Sequence, residues 1–97
     1  MPATNTTEGL VTIMSQQPIK MYSTTWCGDC HRAKRVFDDL DAPYENINIE
    51  SEPGALMDMM HLNGGLQSVP TILFPDGSVL IEPSTSELVQ HLQERAA

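Results

Sequence analysis

From position 19 onward, apolar residues come in short bursts separated by stretches where they recur every three or four positions, so strands and helices should alternate. Ile19, Met21 and Tyr22 predict a strand over Ile19 to Ser23. The spacing then turns helical from Gly28 to Leu40, where Cys30, Ala33, Phe37 and Leu40 can share one face. Asp41-Ala42-Pro43 ends that helix, because the residue before a proline avoids helical backbone. Tyr44, Ile47 and Ile49, interleaved with Glu45, Asn46 and Asn48, predict a second strand. Pro53 is expected to open a second helix through Leu56, Met59 and Met60, stopped by Asn63-Gly64-Gly65. Thr71 to Phe74 and Val79 to Ile81 read as two strands joined through Pro75-Asp76-Gly77-Ser78, a strong hairpin signal. Ser84-Thr85-Ser86-Glu87 has the form of a capping box and opens a last helix that buries Leu88, Leu92 and Val89.

The order is therefore βαβ followed by αββα. The first half must pair its strands in parallel through a right-handed crossover, and the second half is an antiparallel hairpin with a closing helix. An α/β domain results, with a four-stranded mixed sheet and three helices, the arrangement of the thioredoxin fold. The methionines around the first strand and second helix are expected as core filler. Residues 1–18, rich in Thr, Asn and Gln and ending at Pro18, are expected to be a flexible extension, leaving 19–97 as the folded domain.

Ninety-seven residues suffice for one small domain, and a hydrophobic content of 40% is too high for a disordered chain. A net charge of −8 argues against nucleic acid and anionic membrane surfaces as partners. No apolar run approaches a membrane span and the N-terminus lacks the pattern of a secretory signal, so a cytoplasmic location is expected. In that compartment two cysteines close in sequence are more often redox-active or metal-binding than structural. The charge is also unevenly spread. Lys20, Arg32, Lys34 and Arg35 fall between positions 20 and 35, where Asp29 is the only acid. That clustering either favours a thiolate and anionic thiol substrates or is simply a solvated helix face.

Both cysteines lie in Trp26-Cys27-Gly28-Asp29-Cys30, at the handover from strand to helix. A helix N-terminus offers unpaired N–H groups and positive potential to the first thiolate, and the second thiol lies about one turn away. Such a thiolate titrates below an ordinary cysteine and attacks disulfides. Asp29 works against this, since a neighbouring carboxylate raises a thiol's pKa, although an acid at a helix start is itself favoured by the dipole.

With these residues in place, the chain resembles the glutaredoxins, and among them the actinobacterial mycoredoxins. The shared features are Thr24 to Cys30, Asn63 to Gly65, Val69 to Thr71, Phe74 to Ser78, and Pro83-Ser84, spread over residues 19 to 95. The resemblance implies a thiol–disulfide oxidoreductase with Cys27 as attacking thiolate and Cys30 as resolving thiol. It implies a substrate site made of Trp26, Gly28, Ser68, Val69, Pro70, Ser84 and Thr85, with a cis bond before Pro70. Gly28 leaves its N–H accessible and lets a substrate sulfur approach. No tightly bound cofactor or metal is implied. A low-molecular-weight thiol serves as co-substrate, and the partners are proteins carrying its mixed disulfides and the reductase that recycles it. The protein is expected to be a monomer. Glutathione-specific members carry Pro-Tyr between the cysteines and Gly-Gly-x-Asp-Asp before the last helix. Here Gly28-Asp29 and Glu82-Pro83-Ser84-Thr85-Ser86 stand instead, which points to a mycothiol-type thiol rather than glutathione.

Rival readings start from the same residues. Cys27 to His31 also fits the Cys-x-x-Cys-His rule for haem attachment, against the absence of an export signal and the βαβ context. Some glutaredoxins with glycine after the first cysteine hold an iron–sulfur cluster between two subunits. Zinc lacks a fourth ligand beside the two cysteines and His31. A thioredoxin-like dithiol reductant of protein disulfides is the remaining alternative.

Overall fold

The computed structural model describes residues 18–96. Residues 1–17, most of the expected extension, lie outside the described residues. The elements run β1 (Ile19–Ser23), α1 (Gly28–Asp39), β2 (Tyr44–Asn48), α2 (Ala55–Leu62), β3 (Thr71–Leu73), β4 (Val79–Ile81) and α3 (Thr85–Ala96). The sheet order is β2-β1-β3-β4. β1 pairs in parallel with β2 and antiparallel with β3, and β3 pairs antiparallel with β4. This is the expected thioredoxin fold.

The strand period of two divides the core between the faces of the sheet. Ile19 and Met21 of β1, Tyr44 of β2, and Ile72 with Phe74 from the β3 side meet Cys30, Ala33, Val36 and Phe37 of α1 and Leu88 of α3. The opposite face sets Tyr22 and Ile47 against Ala55 and Met59 of α2. Phe37 stacks on Tyr44 with ring centroids 4.7 Å apart, tying α1 to the edge strand.

Several local expectations shift for physical reasons. Leu40 does not complete the buried stripe of α1; it is the C-cap, 42% exposed, and Val36 takes its place in the core. The chain reverses there through Asp41, whose φ is 52°, and Ala42 N–H returns to Phe37 O. Pro53 does not open α2. It sits in a run of turns, and the helix starts at Ala55 after Gly54, whose φ of 80° suits a residue without Cβ. The third strand ends at Leu73 because Phe74 N–H already bonds Ser78 O across the hairpin, where Gly77 adopts φ 90°. Met21 and Met59 are core residues as expected, but Met57 is exposed. The last helix begins with a reciprocal capping box. Ser84 Oγ accepts from Glu87 N–H and Glu87 Oε1 accepts from Ser84 N–H, both at 3.1 Å.

The hairpin is clasped to α3. Asp76 Oδ1 accepts from Ser78 N–H at 3.0 Å and Ser78 Oγ at 2.6 Å, while Oδ2 accepts from Arg95 Nε at 2.9 Å. Ser78 Oγ also lies 2.9 Å from His91 Nε2. Because Asp76 can only accept, the hydroxyl hydrogen goes to it and His91 Nε2 must be the donor to Ser78. The serine proton is thus committed away from the imidazole, and the trio is a clasp rather than a nucleophile. The Phe74 ring lies 4.2 Å by centroid from the His91 ring, and the Arg95 guanidinium sits over it 5.7 Å from its centroid.

Two groups in the clasp titrate abnormally. The Ser78 hydrogen bonds, helped by Arg95, pull Asp76 down to about 2. Partial burial, then Arg95, holds His91 below its ordinary value. For both groups protonation favours the unfolded chain. The His91 contribution is whole above about pH 6.5 and fades as pH falls below it; that of Asp76 is whole above about pH 4 and is lost towards pH 2. Urea midpoints should therefore fall between pH 7 and 5 and again below pH 4. In His91→Gln the first fall should shrink; an undiminished fall would assign it to other groups.

Candidate active site

Strand direction brings the site together. β1 and β2 end at the same edge of the sheet, β3 begins there, and β4 ends there. The segments leaving or entering at that edge carry Trp26 to Cys30, Glu50, Gln67 to Pro70, and Glu82 to Thr85.

Cys27 is the N-cap of α1, with extended backbone at φ −82° and ψ 112°. Its Sγ accepts the Cys30 N–H at 3.1 Å, so the sulfur takes the capping role that a hydroxyl or carboxylate oxygen usually fills. Cys27 and Cys30 are joined as a disulfide, with Cα atoms 5.2 Å apart. The same sulfur lies 3.8 Å from Val69 O, and the Val69–Pro70 bond is cis, as the resemblance implied. A nucleophilic cysteine ahead of a helix would ordinarily be open to solvent. As a residue Cys27 is only 6% exposed, because the disulfide turns its sulfur inward against Cys30 and Val69; Cys30 is fully enclosed.

A groove of about 440 Å³ runs past the disulfide, lined by Trp26, Cys27, Gly28, Asp29, Gln67, Ser68, Val69 and Glu82. Five of the expected residues besides Cys30 meet there: Trp26, Cys27, Gly28, Ser68 and Val69. Trp26 is 72% exposed and stands as a free wall, its Nε1 directed to Glu50 Oε2 at 3.4 Å. A Cβ on Gly28 would meet no atom within 4 Å, so the space it leaves belongs to the groove and not to packing. Pro70 lies buried behind Val69 and does not line the groove. Ser84 and Thr85 are not in it either. With Pro83 they line a neighbouring hollow of about 260 Å³ between α1 and α3, and Asp29 borders both.

The expected basic surround disperses. Lys20 pairs in register with Leu73, towards the hairpin end of the sheet and away from the disulfide. Arg32 forms an exposed ion pair with Asp29 and faces the neighbouring hollow, and with Arg35, one turn on, it also lines a further depression beside Asp39 and Thr85. Helical rotation of about 100° per residue turns Lys34 away from Arg32 and Arg35, which share a face one turn apart. Among the described residues no lysine or arginine lines the groove. Gln67 and Glu82 went unnoticed as wall residues; adjacency to Val69-Pro70 and to the last capping box was the available signal.

On the α2 side a second hollow adjoins the groove, lined by Thr24, Trp26, Ile49, Leu56 and Val69 among others. Thr24 Oγ1 is buried without a hydrogen-bond partner. Among the described residues no group of three or more His, Cys, Asp or Glu gathers as a metal site, and no helix is long and apolar enough to cross a membrane.

The glutaredoxin family model matches residues 19–80, most of the described domain. The chain belongs to the glutaredoxin family. A Mycobacterium tuberculosis protein bearing the glutaredoxin name is 37% identical over 70 residues, covering 72% of this chain and 83% of its own. Mycoredoxin 1 of Corynebacterium glutamicum is 24% identical over 78 residues, covering 80% of this chain and 96% of its own. Among solved structures, a thioredoxin-like protein superposes with a TM-score of 0.70 at 22% identity, over 79% of this chain and 96% of that one. As a glutaredoxin the protein is a thiol–disulfide oxidoreductase that draws on a low-molecular-weight thiol.

Two measurements follow from this geometry. In reduced Cys30→Ser, thiolate absorbance against pH should give Cys27 a midpoint below about 8.5, driven by the Cys30-position N–H and the helix terminus and opposed by Asp29. A midpoint at or above that value contradicts it. Thr24→Val, which exchanges an unpaired buried hydroxyl for a methyl, should stabilise the fold by about 1–2 kcal/mol in urea unfolding. A loss of stability would mean that the hydroxyl has a partner in solution.

Proposed function

We propose that the protein reduces mixed disulfides between proteins and a small sugar-type thiol such as mycothiol, with Cys27 as nucleophile and Cys30 as resolving residue. The carrying observation is the asymmetry of the pair: the Cys27 sulfur caps α1 at the edge of the groove, whereas Cys30 is enclosed in the core behind it. The Cys27 thiolate attacks the sulfur of the small thiol. A new disulfide forms between Cys27 and that thiol, and the protein thiolate departs and takes a proton from solvent. A second small-thiol molecule then attacks the sulfur of the bound thiol, forming the small-thiol disulfide and releasing the Cys27 thiolate. Alternatively, Cys30 attacks Cys27, closing the Cys27–Cys30 disulfide and freeing the bound thiol. Two electrons pass to the client in each cycle, and a separate reductase restores the thiol pool.

In this reading Trp26, Gly28, Ser68 and Val69 form the bed for the small thiol, with Pro70 supporting Val69 from behind. Ser84 and Thr85 receive its distal part across Asp29. Preference for a sugar thiol is supported by the segment Glu82 to Ser86. Pro83 has no N–H to offer a peptide-like ligand, Glu82 N–H is already bonded to Pro70 O at 2.8 Å, and the hydroxyls suit a polyol. The name of the corynebacterial relative, mycoredoxin 1, agrees with it. We further propose that the protein works as a monomer in the cytoplasm.

The test caps one protein cysteine in turn with mycothiol, bacillithiol and glutathione, each assayed with its own recycling system. The mycothiol form should be reduced fastest. Cys30→Ser should retain substantial activity on that form and lose it on protein dithiol disulfides, while Cys27→Ser loses both. Fastest reduction of the glutathione form would refute the thiol assignment. Equal loss in both variants would indicate thioredoxin-like dithiol chemistry.

A further inference from the structure

The charges around the groove do not match the thiol that most glutaredoxins handle. Among the described residues its fixed charges are the carboxylates of Asp29 on the α1 side and Glu82 across from it, and no cation lines it. Asp29 is partly compensated by Arg32, but through an exposed pair whose field solvent weakens. Among the described residues no cation pairs with Glu82. Glu82 also holds an awkward backbone. Its φ is 47°, in the left-handed region where a Cβ is disfavoured and glycine is free, and its N–H is fixed to Pro70 O at 2.8 Å. A non-glycine residue kept at such a position beside a functional groove points to work done by its side chain.

We infer that Glu82, seconded by Asp29, is a specificity-determining residue that turns anionic thiols away and reserves the groove for uncharged ones. This rests on the reading that the groove takes the small-thiol half of a mixed disulfide. Two carboxylates within several ångströms of a bound anion each lower its capture by about three- to tenfold at low ionic strength, even at the dielectric of water, as exposed Glu82 requires. A neutral polyol thiol meets no such penalty, and a cationic one gains. The mechanism is electrostatic exclusion, so it needs no hydrogen bond from Glu82 to the ligand.

The test uses one uncharged cysteine peptide capped with three thiols of similar size: 2-mercaptoethanol, 3-mercaptopropionate and cysteamine. The fully reduced protein is mixed with each in single turnover, so its own dithiol supplies both electrons. Each rate is divided by the rate with free dithiothreitol, which removes the intrinsic reactivity of the cap. Wild type should favour the neutral over the anionic cap by about tenfold or more, and the gap should narrow in 0.5 M salt as the Debye length shrinks to about 4 Å. Glu82→Gln, of equal shape, should narrow the gap by about three- to tenfold, and Glu82→Gly should do the same while relieving the backbone. If both variants keep the wild-type gap, or if wild type is indifferent to cap charge, the inference is wrong although the mixed-disulfide reading stands. If wild type reduces none of the caps, that reading falls and this one with it.

Discussion

Helix α1 can meet the sheet in only one rotation, because Cys30, Ala33, Val36 and Phe37 must all reach the core together and Phe37 must stack on Tyr44. That rotational lock decides where the helix begins and which way its first N–H groups point. It places Cys30 at the buried end of the stripe and Cys27 one turn before it, where the sulfur can accept the Cys30 N–H. Burial of an apolar face thereby does electrostatic work. The free energy that holds Phe37 in the core also holds a dipole and an N–H donor against the sulfur, with no charged residue required. A looser helix would retain the two cysteines and lose their difference in character.

The convergence of strand ends is the second constraint. An antiparallel β1–β3 pair puts the start of β3 beside the end of β1, so Ser68 and Val69 arrive at Cys27 as a consequence of sheet topology. The parallel β1–β2 pair brings Glu50 to Trp26, and the β3–β4 hairpin returns Glu82 to the same edge. The groove is the gap left between these connections. Residues scattered from position 24 to 85 become neighbours because four strands share one boundary, and each can vary without disturbing the sheet that positions it.

What was legible in the sequence follows from this division. Element order, sheet topology and the buried stripe rest on periodicity, and they could be read closely, save at ends where turns compete. Leu40 fits the spacing of α1 but falls after its last turn, and Pro53 looks like a helix opener but is held in turns bonded back to Asn48 and Glu52. The groove residues nearest the Cys-x-x-Cys motif and the Val-Pro turn were legible through motif resemblance. Charge was the least legible property. Lys20, Arg32, Lys34 and Arg35 look like a single basic surround along the chain, yet strand direction sends Lys20 to the far end, helical rotation turns Lys34 aside, and Arg32 and Arg35 line hollows beside the groove instead of the groove itself. The acids that do reach the groove, Asp29 and Glu82, are 53 positions apart, and only the fold brings them to opposite walls.

The far end of the sheet obeys the opposite logic. There the groups of the clasp are matched: Asp76 takes two hydrogen bonds from Ser78 and one from Arg95, and His91 completes the circuit to α3. Among the described residues, the groove end leaves Glu82 without a cation, Trp26 mostly exposed and the Gly28 position open. Unmatched groups are what a ligand can recognise, whereas matched groups have little left to offer. The clasp can therefore hold the β3–β4 hairpin and α3 together from one end while the other end keeps its uncompensated charge. Acid that protonates His91 or Asp76 loosens the clasp at the hairpin end of β3 and β4, the end opposite the disulfide, so its destabilisation begins away from the groove.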